Sequence, residues 1–200
     1  IYCLNRLSRC REIKDITLVV NPENLKAIIR KIKLYRIKKI KEVVLGGLRR
    51  QDSVINGLKS LNPKTDLVLI HDGVRPFIEA NNISSLIKEA KRYGAAILGV
   101  PVKATIKQVR GQGSGVRGRY TVEKTINREK LWEIQTPQVF RKDLILKAYN
   151  KFRNTEVTDD AMLVEKLGAK VVVVKGSYNN IKITTPEDLA IAGAILKSQD

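Results

Sequence analysis

The sequence predicts an α/β fold, a mostly parallel sheet with helices on both faces. Two observations carry this. Short β-branched runs alternate with segments of helical periodicity along most of the chain. An apolar run, Leu67-Val68-Leu69-Ile70, then ends abruptly in His71-Asp72-Gly73-Val74-Arg75-Pro76. Strands end this way at the edge where open α/β sheets bind ligands. The 200 residues form one domain, 1–200, large enough for a real core.

Each element follows from its local pattern. Tyr2 to Glu12 reads as the end of a helix, and Asp15 to Val20 as a short strand. Pro22 opens a helix to about Tyr35, with Leu25, Ile28, Ile29 and Ile32 at helical spacing. Glu42 to Leu45 is a strand stopped by Gly46-Gly47, and Asp52 to Leu61 is a helix with Val54, Ile55 and Leu58 turned inward. The strand ending at His71 follows, then a helix from Asn82 to Arg92 that stops near Gly94. Ala95 to Val100 is a strand ended by Pro101. The rhythm then breaks. Lys103 to Val109 and Arg119 to Lys124 are charged β-like stretches joined by Gly111-Gln112-Gly113-Ser114-Gly115. They predict a protruding β-hairpin arm, about 103–127, with no core face of its own. Leu131 to Phe140 returns to the body, and Pro137 within it argues for an edge strand or a bulge. Lys142 to Phe152 and Thr158 to Leu167 are helices, Lys170 to Val174 is a strand, and Ile181 to Thr184 is a short strand. Thr185 caps the final helix, with Pro186 in its first turn and its end near Lys197. The whole is a Rossmann-like arrangement with one excursion.

The net charge of +18 raises the question of nucleic acid. The lysines, however, are spread over the polar faces of helices and the ends of strands, and aromatic residues for base stacking are scarce. A lysine-rich surface that gathers anionic substrates fits better. No apolar stretch reaches membrane-spanning length, and no signal peptide pattern opens the chain. Cys3 and Cys10, without further metal-ligand companions, read as buried thiols of a cytoplasmic protein.

Several residues fall where a phosphate-rich ligand would sit. Asp72, at a strand end, can hold a metal, and Arg75 can hold an anion, although an Asp-Gly turn is also ordinary punctuation. Gly46-Gly47, Arg50 and Ser53 lie at a strand-to-helix turn, where backbone and anion can approach closely, or where the turn alone explains them. Thr136 and Gln138 flank Pro137 and could bind a polar ligand or satisfy the backbone. Thr158-Asp159-Asp160 has helix capping as its plain explanation. Lys182, between Ile181 and Ile183, points away from them by alternation, towards a sheet edge or a ligand anion.

Taken in order, these segments form a specific set: Gly46 to Val54, His71 to Pro76, Pro101-Val102-Lys103-Ala104-Thr105, Thr125 to Arg128 with Leu131-Trp132, Gln135 to Gln138, Thr158 to Ala161, and Asn180 to Thr184 through Leu189. Over essentially its whole length the chain resembles the 2-C-methyl-D-erythritol 4-phosphate cytidylyltransferases of the non-mevalonate isoprenoid pathway. The resemblance implies transfer of CMP from CTP to methylerythritol 4-phosphate with release of pyrophosphate and use of Mg²⁺. It implies Asp72 as the metal-side and substrate-side carboxylate, and Gly47, Ser53 and Gly73 as nucleotide contacts. Arg75, Thr136, Thr158 and Lys182 fall to the polyol phosphate. By the same resemblance Thr105 and Arg128, in and just after the arm, are expected to reach into a partner subunit's site, which implies a homodimer, with Arg128 and Lys182 as the catalytic cations.

The chain departs from that pattern in three places. Ala104 stands where Asp is common, and Asp160 where Glu is usual. The family also opens with a strand and a Gly-rich loop that wraps the CTP phosphates, whereas this chain starts at Ile1, inside the helix that follows. We therefore expect a fragment of a longer enzyme, with the preceding strand central in the sheet. Two other readings stand beside the leading one: a ribitol 5-phosphate cytidylyltransferase, which differs in acceptor, and a non-catalytic basic protein that binds nucleic acid. The lone His71, at the strand end, is assigned a structural role rather than proton transfer.

Overall fold

A computed structural model describes residues 1–112 and 119–198. The chain runs α1 (Tyr2–Arg9), β1 (Ile16–Val20), a single turn at Pro22–Asn24, α2 (Leu25–Leu34), β2 (Ile40–Leu45), α3 (Arg50–Lys59), β3 (Leu67–Ile70), α4 (Ala80–Tyr93) and β4 (Ala95–Pro101). It continues through β5 (Ile106–Gln112), β6 (Arg119–Ile126), β7 (Trp132–Arg141), α5 (Lys142–Lys151), α6 (Ala161–Lys166), β8 (Val172–Lys175) and α7 (Pro186–Lys197). Strands β3, β7, β4 and β8 form one sheet in that order, and β1 and β2 pair in parallel as a second. Strand β7 runs antiparallel to both β3 and β4, while β8 is parallel to β4. Three of the four strands of this sheet therefore share a direction, and β7 alone is reversed.

Alternation along the central strands builds a core on each face. Ala96 and Leu98 of β4 and Val139 of β7 join Cys3, Leu7, Ile83, Leu86 and Ala90 from α1 and α4. Ala95 and Ile97 of β4 and Phe140 of β7 face the other way, onto Leu58, Ile145, Ala148, Leu163 and Val164 from α3, α5 and α6. Helices cover both faces, as the periodicity predicts. Helix α4 ends at Gly94, whose φ of 92° takes the left-handed conformation of a helix cap.

Pro137 lies in an interior strand, so the edge reading is corrected and the bulge reading holds. Ile97 pairs with Gln138 but Leu98 pairs with Gln135, so Thr136 and Pro137 have no partner on β4. Proline has no N–H to lose from the ladder at such a bulge. The Thr136–Pro137 peptide is cis. On the other side β3 ends opposite Gln138, which leaves Thr136 beside the loop that follows β3.

Strands β5 and β6 pair antiparallel as a ribbon of their own, with Val109, Tyr120 and Val122 exposed. Gly111 and Gln112 belong to β5; Gly113 to Gly115 of the expected connection lie outside the described residues. The strand expected at Ile181 to Thr184 does not form. The segment is irregular and held to the body by a few bonds, including Ile183 N–H to the Val74 carbonyl at 2.9 Å. The helix expected from Thr158 begins instead at Ala161, because the Asp159 carboxylate accepts the Met162 N–H and sets the first turn there. Among the described residues no helix is long and apolar enough to cross a membrane.

Candidate functional site

The site starts where the apolar run of β3 stops. Beyond Ile70 the chain turns, and Arg75 N–H donates to the Asp72 carbonyl at 3.0 Å. The Thr136 hydroxyl, placed by the β7 bulge, accepts the Asp72 N–H at 3.0 Å. The same hydroxyl lies 3.1 Å from His71 Nδ1, and His71 Nε2 lies 3.0 Å from the Arg75 carbonyl. A carbonyl only accepts, so Nε2 carries the proton and Nδ1 accepts from Thr136. Both capacities of the Thr136 hydroxyl are thus used to brace the loop.

Burial pushes the His71 imidazole down to about 4, despite its bond to the Arg75 carbonyl and the nearby Asp72 charge. At neutral pH it is uncharged, in keeping with a structural role. The unfolded chain therefore takes up a proton near pH 6.5 that the folded chain refuses until about 4, and stability falls as pH drops through that window. The loss reaches on the order of 3 kcal/mol. Thermal unfolding followed from pH 7 to pH 4.5 should show a declining Tm in the parent protein and a flatter profile in His71→Gln. Parallel profiles would remove His71 as the cause.

Three cations converge on the Asp72 carboxylate, which is largely shielded from solvent. Lys182 Nζ lies 3.5 Å from Oδ2, Arg75 Nε lies 3.7 Å from Oδ2, and Arg50 Nε lies 3.7 Å from Oδ1. Each comes from a different part of the fold. Arg75 is buried beneath the loop and donates through Nη1 to the Asn180 carbonyl at 2.8 Å. Burial lowers its pKa, opposed by the charge of Asp72. Lys182 arrives on the irregular segment, which Asn180 fastens by donating to the Gln135 side chain and the Thr136 carbonyl at 3.2 and 2.9 Å. Arg50 arrives from the first turn of α3. For Arg50, burial works to lower the pKa, but the hydrogen bond and charge of Asp160, with Asp72, hold it above the ordinary value.

The structure thus brings together Asp72, Arg75, Thr136 and Lys182 of the residues singled out in the sequence. Gly73 sits at the same loop with open space where a side chain would be. Gly47 and Ser53 share the strand-to-helix turn that carries Arg50. Gly47 N–H donates to the Ser53 hydroxyl at 3.1 Å, and a Cβ on Gly47 would come within 2.3 Å of the Asp52 Cβ. Close approach within the turn therefore already accounts for that glycine. Thr105, Arg128 and Thr158 are exposed, and no hydrogen bond or ion pair among the described residues ties them to the Asp72 cluster. The Arg128 guanidinium instead donates to the Lys103 carbonyl at the base of the arm. One site residue has no role assigned from the sequence. Asn180 is polar yet fully buried, and only its place next to Ile181-Lys182 signalled it. Arg50 is an anion-binding candidate in the sequence, but its partners Asp72 and Asp160 are remote along the chain and are seen only in the fold.

No group of three or more His, Cys, Asp or Glu side chains able to hold a metal occurs among the described residues. Asp72 still suits a magnesium ion that is held mainly by substrate phosphates, for which one or two protein carboxylates suffice. Its three ion pairs are all longer than the 2.7–2.9 Å or so of a tight charge-assisted bond, so its oxygens keep room for a ligand.

An α/β sheet whose strand-end loop carries a carboxylate ringed by cations from three parts of the fold suits a protein that handles phosphorylated ligands, in the manner of a nucleotidyltransferase. Comparison with known proteins sharpens this. The profile of the family described as 2-C-methyl-D-erythritol 4-phosphate cytidylyltransferase matches residues 2–198. The chain is 50% identical over 204 residues to the protein of that name from Desulforamulus reducens, covering 100% of this chain and 83% of that protein. It is 42% identical over 201 residues to its namesake from Pelotomaculum thermopropionicum, covering 99% and 82%. Among solved structures it resembles the 4-diphosphocytidyl-2C-methyl-D-erythritol synthase of Anaerococcus prevotii, with a TM-score of 0.86, 37% identity, and coverage of 98% of this chain and 84% of that one. The chain belongs to the 2-C-methyl-D-erythritol 4-phosphate cytidylyltransferase family, and it is a nucleotidyltransferase.

Proposed function

We propose that the chain transfers the cytidylyl group of CTP to 2-C-methyl-D-erythritol 4-phosphate, with Asp72, Arg75 and Lys182 at the centre of the site. The observation that carries this reading is the convergence of Lys182, Arg75 and Arg50 on Asp72 within 3.7 Å. An oxygen of the acceptor phosphate forms a bond to the α-phosphorus of CTP, and the bond from that phosphorus to the bridging oxygen breaks to release pyrophosphate. The acceptor monoester is mostly ionised near neutral pH, so no general base is required. The neutral His71 fits that economy. What the reaction needs is neutralisation and alignment of two polyanions. Lys182 and Arg75 hold the acceptor phosphate, with Thr158 and the Thr136 backbone framing it. Gly73, Gly47 and Ser53 frame the nucleotide, where the open space at Gly73 admits a close approach. Mg²⁺ bound through Asp72 would neutralise charge on the CTP phosphates.

The partner-subunit roles of Thr105 and Arg128 follow from the family resemblance and are supported by their exposure on or beside the β5–β6 ribbon, with no ion pair to the Asp72 cluster among the described residues. In this reading the chain is a cytoplasmic homodimer, and Cys3 and Cys10 remain buried thiols. Pyrophosphate release with CTP and either methylerythritol 4-phosphate or ribitol 5-phosphate tests the acceptor; a preference for ribitol 5-phosphate overturns the proposal. Coexpressed Arg128→Ala and Lys182→Ala chains test the arm. Each variant alone should be nearly inactive, and the random mixture should recover about a quarter of the parent rate, because a mixed dimer keeps one complete site. No recovery rules out action across subunits.

A further inference from the structure

Arg50 is held from behind. Its Nη2 donates to Asp160 Oδ2 at 2.7 Å, and Asp160 has no exposed surface. The other oxygen, Oδ1, accepts the Tyr149 hydroxyl, itself buried. Both oxygens of a fully buried carboxylate are thus committed, one to a phenol in the core and one to a guanidinium that reaches on to Asp72 at 3.7 Å. The backbone carrying Asp160 is fixed as well. Gln138, next to the β7 bulge, donates to Asp159 Oδ2 at 2.8 Å and accepts the Ala161 N–H at 3.2 Å. A buried ion pair is weak evidence for stability, since well-packed apolar groups often serve a core as well or better. Here the pair joins the core to a cation whose side chain stays about a third exposed beside the Asp72 carboxylate.

We infer that Asp160, itself held by Tyr149, is a positioning residue that fixes Arg50 against Asp72 during cytidylyl transfer. This rests on the activity proposed above and adds two residues with no role in binding the substrates. Tyr149 anchors Asp160, Asp160 orients the guanidinium, and Arg50 then presents a fixed positive charge to the polyanions assembled at Asp72. An arginine without that anchor would sample many rotamers, and misplacement of a catalytic cation is costly in rate.

The test has two readouts. The first is ¹⁵N relaxation of the Arg50 Nε–H in the ligand-free protein. Arg50 should be rigid in the parent and in Asp160→Glu, and mobile in Asp160→Asn, with an order parameter falling below about 0.6. The second is steady-state cytidylyl transfer. Asp160→Asn should lower kcat about tenfold with KM for CTP changed less than about threefold, and Asp160→Glu should restore most of the rate. In the Arg50→Gln background, Asp160→Asn should add less than about a further twofold, because it acts through the group already removed. An Arg50 that stays equally ordered in Asp160→Asn, or losses that multiply in the double variant, would overturn the inference. Should Asp160→Asn not fold, Tyr149→Phe, which deletes only the hydroxyl, takes its place in both measurements with smaller effects of the same sign. An unsubstituted protein that transfers no cytidylyl group would count against the activity alone, and the relaxation measurement would still decide whether Asp160 holds Arg50.

Discussion

Lys182→Ala should lower turnover by about a hundredfold, the scale set by removing one preorganised charge from a site that stabilises developing negative charge. The ammonium lies 3.5 Å from Asp72 Oδ2, and its side chain is about half exposed. It is therefore free to leave the carboxylate for a phosphate oxygen at little cost to the fold. Stability should change by less than about 0.5 kcal/mol, as for an exposed ion pair. Steady-state pyrophosphate release measures the first effect, and urea unfolding the second. Lys182→Arg should recover only part of the rate, because a planar fork cannot occupy the place of a compact ammonium. A turnover within about twofold of the parent would remove Lys182 from the site.

Asp72→Asn should abolish measurable transfer, with a loss beyond about a thousandfold, and also weaken the fold. The two effects share a cause. Without its charge, Arg50, Arg75 and Lys182 face one another as like charges with no carboxylate between them. Arg75 suffers most, since it is buried and is left with its bond to the Asn180 carbonyl and the charge of Glu133. The cost of stranding a buried charge runs to several kcal/mol, and the exposure of Lys182 and Arg50 reduces it here to roughly 2 kcal/mol. Urea unfolding at pH 7 measures this. Unchanged stability together with lost activity would mean that Asp72 serves the chemistry alone and does not tie the three cations together.

The sequence shows the parts of this architecture that depend on short-range pattern. The apolar run Ala95 to Val100, stopped by Pro101, predicts a strand, and it is β4, which feeds both cores. The sudden end of the apolar run at Ile70 marks Asp72 and Arg75 as a strand-end pair, and the two lie 3.7 Å apart. Pattern fails where the partner lies far along the chain. Thr158-Asp159-Asp160 reads as a helix cap, and the Asp159 side chain does cap the first turn, but Asp160, at the N-cap position, turns its side chain inward to a guanidinium 110 residues away. Ile181 to Thr184 has strand-like alternation, but where a ladder was expected the segment is irregular, with the Ile183 N–H bonded to the Val74 carbonyl. Lys182 faces the site because Asn180 is fastened to β7, a contact that periodicity does not encode. The resemblance supplied what spacing could not, namely which of several polar strand-end residues belong to one site.

Strand β7 has a consequence of its own. Gln135 holds the segment leading to Lys182, Thr136 holds the loop of Asp72, and Gln138 holds the turn of Asp160, all within four consecutive residues. Ordering these three approaches independently would carry a separate entropic cost each time a substrate bound. Joined to one interior strand, that cost is met once, when the chain folds. Substrates then meet a site already in register, and their binding energy is left for bringing the two phosphates together.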